Sequence, residues 1–347
     1  MQQWIKEVAR GKRGARDLIY EEARQAAEAI VAGQASAAQI AAFLIAERIK
    51  TESPEELLAF TEALRHYAEK LNLSKGIRER VIDFAGPYTG RHSFLATIPA
   101  SILLAERGIP AFLHSSDSLP PKYGTSSKEV LQKLGIFIGG AAQAAKTLEQ
   151  LSIGFAAAEQ LCSPFSRLRQ IREDIGVRTV LNTAEKLVNF AGSDRLMMGA
   201  FHRTAIQKMH PVFTRLSYKE VFIVQGIEGS EDVPVHRGSF VFTIKNGDIS
   251  SFILNPEAYG LHADERMLNK PLSAERQAQK IEAVLSGEQS ADVEYERKQV
   301  IMNTALRYYL FRHCPTIEEG VRIAERQLKE KAGLATLNKW RMSFTRQ

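Results

Sequence analysis

Cysteine is nearly absent from this chain of 347 residues: Cys162 and Cys314 stand far apart, which supports neither a disulfide framework nor a zinc site. The histidines are scattered, and no HExxH, paired CxxC, GxSxG elbow or Walker A sequence occurs. Those absences remove the usual metalloprotease, serine-hydrolase and P-loop readings. Long apolar runs are also missing. The most hydrophobic stretch, FLATIPASILLAERGIPAFL, is broken by Glu106 and Arg107 and reads as a buried helix followed by a strand, not a membrane span. The first residues, MQQWIKEVARGKRGARDL, contain no apolar segment of the kind a secretory signal needs. A cytoplasmic protein without a membrane partner is the expectation.

What is present is the composition of a soluble globular protein, 44% apolar and 25% charged, with enough chain for one large domain or two ordinary ones. The formal charge of +6 is unevenly spread. Lys6, Arg10, Lys12, Arg13 and Arg16 crowd the start. Arg322, Arg326, Lys329, Lys331, Lys339, Arg341 and Arg346 crowd the end, and Arg167, Arg169, Arg172, Arg178 and Lys186 form a middle group. Clustered basic side chains attract polyanions, because each neutralised phosphate releases a condensed counterion. Solvated faces without a partner are the plainer reading of charge alone.

The first seventy-odd residues read as helices. DLIYEEARQAAEAIVAG ends on Gly33, a good C-cap, while Ser36/Gln39 and Ser53/Glu56 have capping-box spacing, the second with Pro54 at the first helical position. From about residue 80, short strands alternate with helices: VIDFA, PAFLH, IFIG, IGFAAA, VFIVQG, FVFTIK and SFILN are the expected strands. Residues 275–347 return to helix. The pattern predicts an α/β fold class: a small all-helical domain at 1–76, with part of the mid-chain helices near 160–185, and a large α/β domain at 77–347. The latter should hold a mostly parallel central sheet. Ligands should sit beyond the carboxyl ends of its strands.

Three strand-to-helix loops then converge. The first, DFAGPYTGRHS at 83–93, contains Gly86, Tyr88, Thr89, Gly90 and Arg91. The second, HSSDSLPPKYGTSSKE, runs from His114 through Lys122 to Thr125, Ser126 and Glu129. Its capped helix start is an expected anion site. A lone His114 there is more often packed than catalytic. The third, RLRQIREDIGVRTVLNTAEKL, aims Arg172, Arg178, Asn182 and Lys186 at the same region. The turn IEGSEDVPVH offers Glu228, Glu231 and Asp232, either as oxygen ligands for Mg²⁺ or as an acidic surface turn.

In that order these segments resemble the anthranilate phosphoribosyltransferase family, over roughly residues 5–325. The resemblance implies a helical domain joined to an α/β domain, a homodimer formed through the former, and Mg²⁺ as cofactor if the chain is a transferase. It also implies site residues. The family's Gly-Thr-Gly-Gly-Asp diphosphate loop corresponds to Gly86 through Arg91, which loses the Gly pair and the Asp. Its Asn-x-Ser-Thr corresponds to Leu95 through Ile98, and its Lys-His-Gly-Asn to Leu113 through Ser116, where only His114 survives. Arg172 matches the arginine that grips the anthranilate carboxylate. The Gly-Pro that shapes the anthranilate pocket is Glu185-Lys186, and the metal-binding acidic pair is Glu231-Asp232 in reversed order. These departures resemble a divergent YbiB-like branch, in the Gly11–Leu18 segment, the Pro87–Arg91 loop and Ile175–Arg178. That kinship implies nucleic-acid binding without sequence preference.

Two functions follow as expectations. The first is a homodimer binding the phosphate backbone of DNA or RNA through Arg91, Lys122, Arg172, Arg178, Lys186, Lys12 and Arg13, with no cofactor required and Tyr88 stacking on a base. Its phosphoribosyl pyrophosphate loop (Gly86, Tyr88, Thr89, Gly90, His114, Thr125, Ser126) would be degenerate. The alternative is a Mg-dependent phosphoribosyltransferase, for anthranilate or an altered acceptor, with Glu231 and Asp232 as possible metal ligands.

Overall fold

The computed structural model describes residues 1–343 apart from Pro87, His202, Asn269 and Lys270; the side chains of Lys12, Arg203, Thr204, Ala205 and Gln207 are also outside the description. Arg346, counted above in the terminal basic group, lies outside it too. The helical start forms as the caps predict. Ser36 and Ser53 each accept a hydrogen bond from the backbone of Gln39 and Glu56, whose side chains reach back to the cap amides. Helices Tyr20–Val31, Ala37–Lys50 and Pro54–His66 result.

Seven strands make one sheet: β1 Ile82–Ala85, β2 Ala111–Ser115, β3 Ile153–Ala157, β4 Arg195–Gly199, β5 Glu220–Val224, β6 Ser239–Lys245 and β7 Asp248–Leu254, ordered β3-β2-β1-β4-β5-β6-β7. The first five run parallel, and β6 and β7 add an antiparallel edge. The β6–β7 hairpin closes on Asn246-Gly247, both at positive φ (49° and 91°), the backbone a two-residue I′ turn requires.

Side chains alternate faces along each strand, so adjacent residues enter different cores. Leu196, Met198, Val221 and Ile223 join Leu57, Leu58 and Phe60 of the helical start. Met197, Phe222 and Val224 join Val300, Ile301 and Leu306 of the C-terminal helices. Both faces of the parallel strands are therefore covered, which is why they read as continuous apolar runs.

Two strand expectations need correcting. IFIG forms no strand: Ile136 is buried while Phe137 stays exposed, in a linker after the helix Ser127–Lys133. Conversely, RLMMG is β4, a central strand. Its methionines and charged first residue hide it from β-propensity, but burial between β1 and β5 overrides propensity.

Candidate functional site

The central turn of the site is a pairing of two loops. Arg91 and Thr125 exchange backbone hydrogen bonds of 2.9 Å in both directions, and Gly124 N donates to Thr89 O at 3.1 Å. This contact needs two glycines. A Cβ on Gly90, which is at φ +65°, would lie 1.9 Å from Gly124 O, and one on Gly124 would lie 2.5 Å from Arg91 N. Beyond the carboxyl ends of the strands these loops, the 178–186 segment, residues 198–201 and residues 228–231 enclose a cavity of about 460 Å³.

Arg178, Lys122, Lys186 and Arg48 line it, with Phe201 at the side and Glu52, Glu185, Glu228 and Glu231 interleaved. The Arg178 guanidinium carbon lies 4.4 Å from the Phe201 ring centroid and Lys122 Nζ 5.5 Å from it. Lys122 Nζ also donates to Glu228 O at 2.9 Å and to Glu228 Oε2 at 3.1 Å. Arg48 reaches across from the helical domain and donates to the Arg178 carbonyl. Burial is the first cause that lowers the pKa values of Arg178, Lys122 and Lys186. Each charge is therefore held at a desolvation cost that an anion would relieve.

The expected cations divide accordingly. Lys122, Arg178 and Lys186 come together in the cavity; Arg91 borders it as an ion-paired side chain, and Arg172 is not among its lining residues. Arg91 is 1% exposed. Its Nη1 lies 2.5 Å from Asp232 Oδ2, and its Nη2 donates to Phe94 O at 2.7 Å and Ser93 Oγ at 3.2 Å. Arg172 is buried and ion-paired with Glu185 at 2.7 Å. Each arginine instead compensates a buried carboxylate, Asp232 for Arg91 and Glu185 for Arg172. Arg13 is exposed on the N-terminal segment, away from the cavity lining, and Lys12's side chain is outside the description.

The remaining expectations change similarly. Tyr88 is not a stacking platform: it is 2% exposed, packs against Phe165, and its hydroxyl bonds His114 Nδ1. His114 Nε2 lies 2.8 Å from Asp83 Oδ1, and both side chains are fully buried in the core. Burial pushes the Tyr88 phenol well above its ordinary range. Ser126 offers no open anion site, because the Glu129 carboxylate already accepts from its amide at 2.8 Å; Thr125 donates to Leu272 O. Thr89 and Gly90 do line the cavity, whereas Gly86, at φ +111°, is not among its lining residues.

Asp232 bears directly on magnesium. Oδ2 accepts from Arg91 and from Thr97 N at 3.0 Å, and Oδ1 accepts from Arg307 Nη2 at 2.8 Å. Asp232 and Arg307 are fully buried. Both carboxylate oxygens are thus engaged by fixed cations, leaving none for a hard metal ion that demands octahedral oxygen ligation. Glu231 faces the cavity alone, its carboxyl raised by burial and then by Asp232. Among the described residues no group of three or more metal-ligating side chains occurs. Arg307, Arg48 and Phe201 were missed by sequence reasoning. Arg307 sits in the helix Glu294–Leu310, some 75 residues from Asp232, and no local pattern marks any of the three.

A helical bundle beside a mostly parallel sheet, with a cavity at the strand ends lined by Arg48, Lys122, Arg178 and Lys186, defines a two-part helical and α/β class. The glycosyl transferase family's helical bundle domain matches residues 2–68 and its a/b domain matches residues 82–335. The chain belongs to that glycosyl transferase family. It is similar to anthranilate phosphoribosyltransferases of Pseudomonas putida (28% identical over 313 residues, 90% of this chain and 88% of the relative) and Rubrobacter xylanophilus (28% over 340 residues, 97% and 96%). Among solved structures, the fold is shared with anthranilate phosphoribosyltransferase (TrpD) of Thermus thermophilus at TM-score 0.81 and 24% identity, covering 97% of this chain and 98% of that one. It is shared too with the Saccharomyces cerevisiae enzyme in complex with PRPP and Mg, at TM-score 0.84 and 18% identity, covering 99% and 97%. No helix among the described residues is long and apolar enough to cross a membrane.

Proposed function

We propose that the cavity binds a phosphoribosyl-diphosphate-type donor and that the protein is a phosphoribosyltransferase with an acceptor other than anthranilate. The convergence of Lys122, Arg178 and Lys186 in one cavity of about 460 Å³ carries this reading, and the near full-length likeness to curated phosphoribosyltransferases supports it. Such transfer needs positioning and fixed positive charge at the departing diphosphate, not a strong protein nucleophile. Magnesium does not fit at Asp232, so charge neutralisation falls to the lysines and Arg178. By the family resemblance, Arg172 is the arginine for the anthranilate carboxylate. Here Glu185 occupies it at 2.7 Å, and a second carboxylate there would meet repulsion. Calorimetry with phosphoribosyl pyrophosphate, in EDTA and in Mg²⁺, tests the donor site. Comparable binding in both is expected, with pyrophosphate release from an amine acceptor but none from anthranilate. No binding at millimolar donor in either buffer would overturn it.

A second reading, nucleic-acid binding, is favoured by one observation. Arg322, Arg326, Lys329, Lys331 and Lys339 are exposed along the helices Ile317–Lys329 and Ala332–Met342, and none of them has an ion pair among the described residues. The N-terminal cluster is weaker than its composition suggests, since Arg10 and Arg16 pair with Glu7 and Glu22. Steeply salt-dependent binding of oligonucleotides of any sequence would support this reading.

A further inference from the structure

Lys186 lines the cavity without an ion-pair partner among the described residues. It lies in the 3-10 turn Glu185–Leu187, and its stem crosses toward the first loop, where its Cε would stand 4.0 Å from a Cβ on Gly86. Nζ contacts Gly199 O at 3.4 Å, longer than an ordinary hydrogen bond, and among the described residues no carboxylate lies within ion-pair distance. The charged groups that act on it are Glu231 and Glu185, which favour its charge, and Arg178 and Lys122, which oppose it. Glu231, 2% exposed on the same cavity wall, has an Oε1 without a hydrogen-bond partner.

We propose that Lys186 is a nucleophilic amine that condenses with the carbonyl of a small phosphorylated aldehyde held in this cavity. The aldehyde's phosphate would rest on Arg178 and Lys122, so the proposal relies on the cavity's affinity for phosphate and not on glycosyl transfer. Burial among cations favours the uncharged amine, the form that attacks. Glu231, with its unpartnered Oε1 on the same cavity wall, is the group placed to shuttle the proton. The amine nitrogen bonds the carbonyl carbon, and the carbonyl oxygen takes up the proton that nitrogen loses. The carbinolamine hydroxyl then leaves as water, protonated by the Glu231 carboxyl, and an imine remains. Nothing is oxidised or reduced, and loss of the iminium proton returns Glu231 to its starting state.

The test uses the full chain with pyridoxal 5′-phosphate as probe, borohydride trapping and peptide mapping by mass spectrometry. Stoichiometric labelling at Lys186 is expected, with labelling by pyridoxal at least tenfold lower. Lys186→Met, checked for an unchanged melting temperature, should lose the mapped adduct. Glu231→Gln should slow imine formation about tenfold while leaving Lys186 the labelled residue. Label spread over surface lysines, or equal labelling by pyridoxal, overturns the proposal. Separate calorimetry with inorganic pyrophosphate distinguishes the two ideas: pyrophosphate binding without Lys186 labelling overturns this inference and leaves the donor site standing. Labelling without phosphoribosyl pyrophosphate binding does the reverse.

Discussion

An aspartate buried between two guanidinium groups, as Asp232 is between Arg91 and Arg307, cannot lose either partner cheaply. Replacing it by Asn leaves two fixed charges in a dry interior. Asp232→Asn is therefore expected to destabilise the fold by roughly 3–5 kcal/mol in denaturant titration, whereas a surface metal ligand would cost little. Glu228 offers a second test. Burial opposes its charge, but the Ser93 amide, Lys122 and Arg91 outweigh burial and hold it at about 2, below its ordinary 4.5. A carboxylate lowered in the folded state contributes fully above its ordinary value and loses that contribution as pH falls toward its folded one. Stability should decline between about pH 4.5 and pH 2, and Glu228→Gln should flatten that limb when unfolding free energy is followed against pH.

At the scale of elements, the two loops depend on Gly90 and Gly124 more than on any side chain. Gly90→Ala would add a Cβ 1.9 Å from a backbone oxygen at positive φ. It should cost at least about 2 kcal/mol and weaken pyrophosphate binding, because Lys122 and Arg91 sit on the displaced loops. Caps behave more gently. Ser53→Ala, which removes the capping box of Pro54–His66, should cost about 1 kcal/mol in the same titration and leave pyrophosphate affinity unchanged. This contrast separates what holds the scaffold from what shapes the cavity.

For the whole molecule, charge and apolar surface point to assembly and to polyanions. In the helical domain Ile19 and Ile49 are more than 60% exposed, and Val8, Ala41, Ala42 and Ile45 line an apolar cleft. A homodimer through this domain is proposed, and sedimentation should give twice the protomer mass of 38.7 kDa. On the opposite account, nucleic-acid affinity would depend on the C-terminal helices. Reversing Arg326, Lys329 and Lys331 together should then reduce the slope of log affinity against log salt by roughly 0.9 for each phosphate no longer neutralised. An unchanged slope would place any such binding elsewhere.

Much of the fold follows from local sequence. Capping boxes, the Asn246-Gly247 turn and short continuous apolar strands are local features, so they can be read without a partner in view. The site was legible only as a location. The loop at Gly86–Arg91 and the segment at Arg178–Lys186 do meet, because parallel strands bring their carboxyl ends to one edge. Which charges remain for a ligand is a different matter, settled by pairing across long sequence distances. Arg91 finds Asp232 some 141 residues away, and Arg307 approaches it from a C-terminal helix. A side chain's type is written in the sequence, but its ionic partner depends on burial and on what packs beside it. The sequence by itself determined the layers and which loops meet at the strand ends; only the tertiary structure decided that Arg91 and Arg172 are internal counterions while Lys186 faces the cavity. The physical reason is that desolvation forces buried charges to pair, and pairing is a property of the packed molecule.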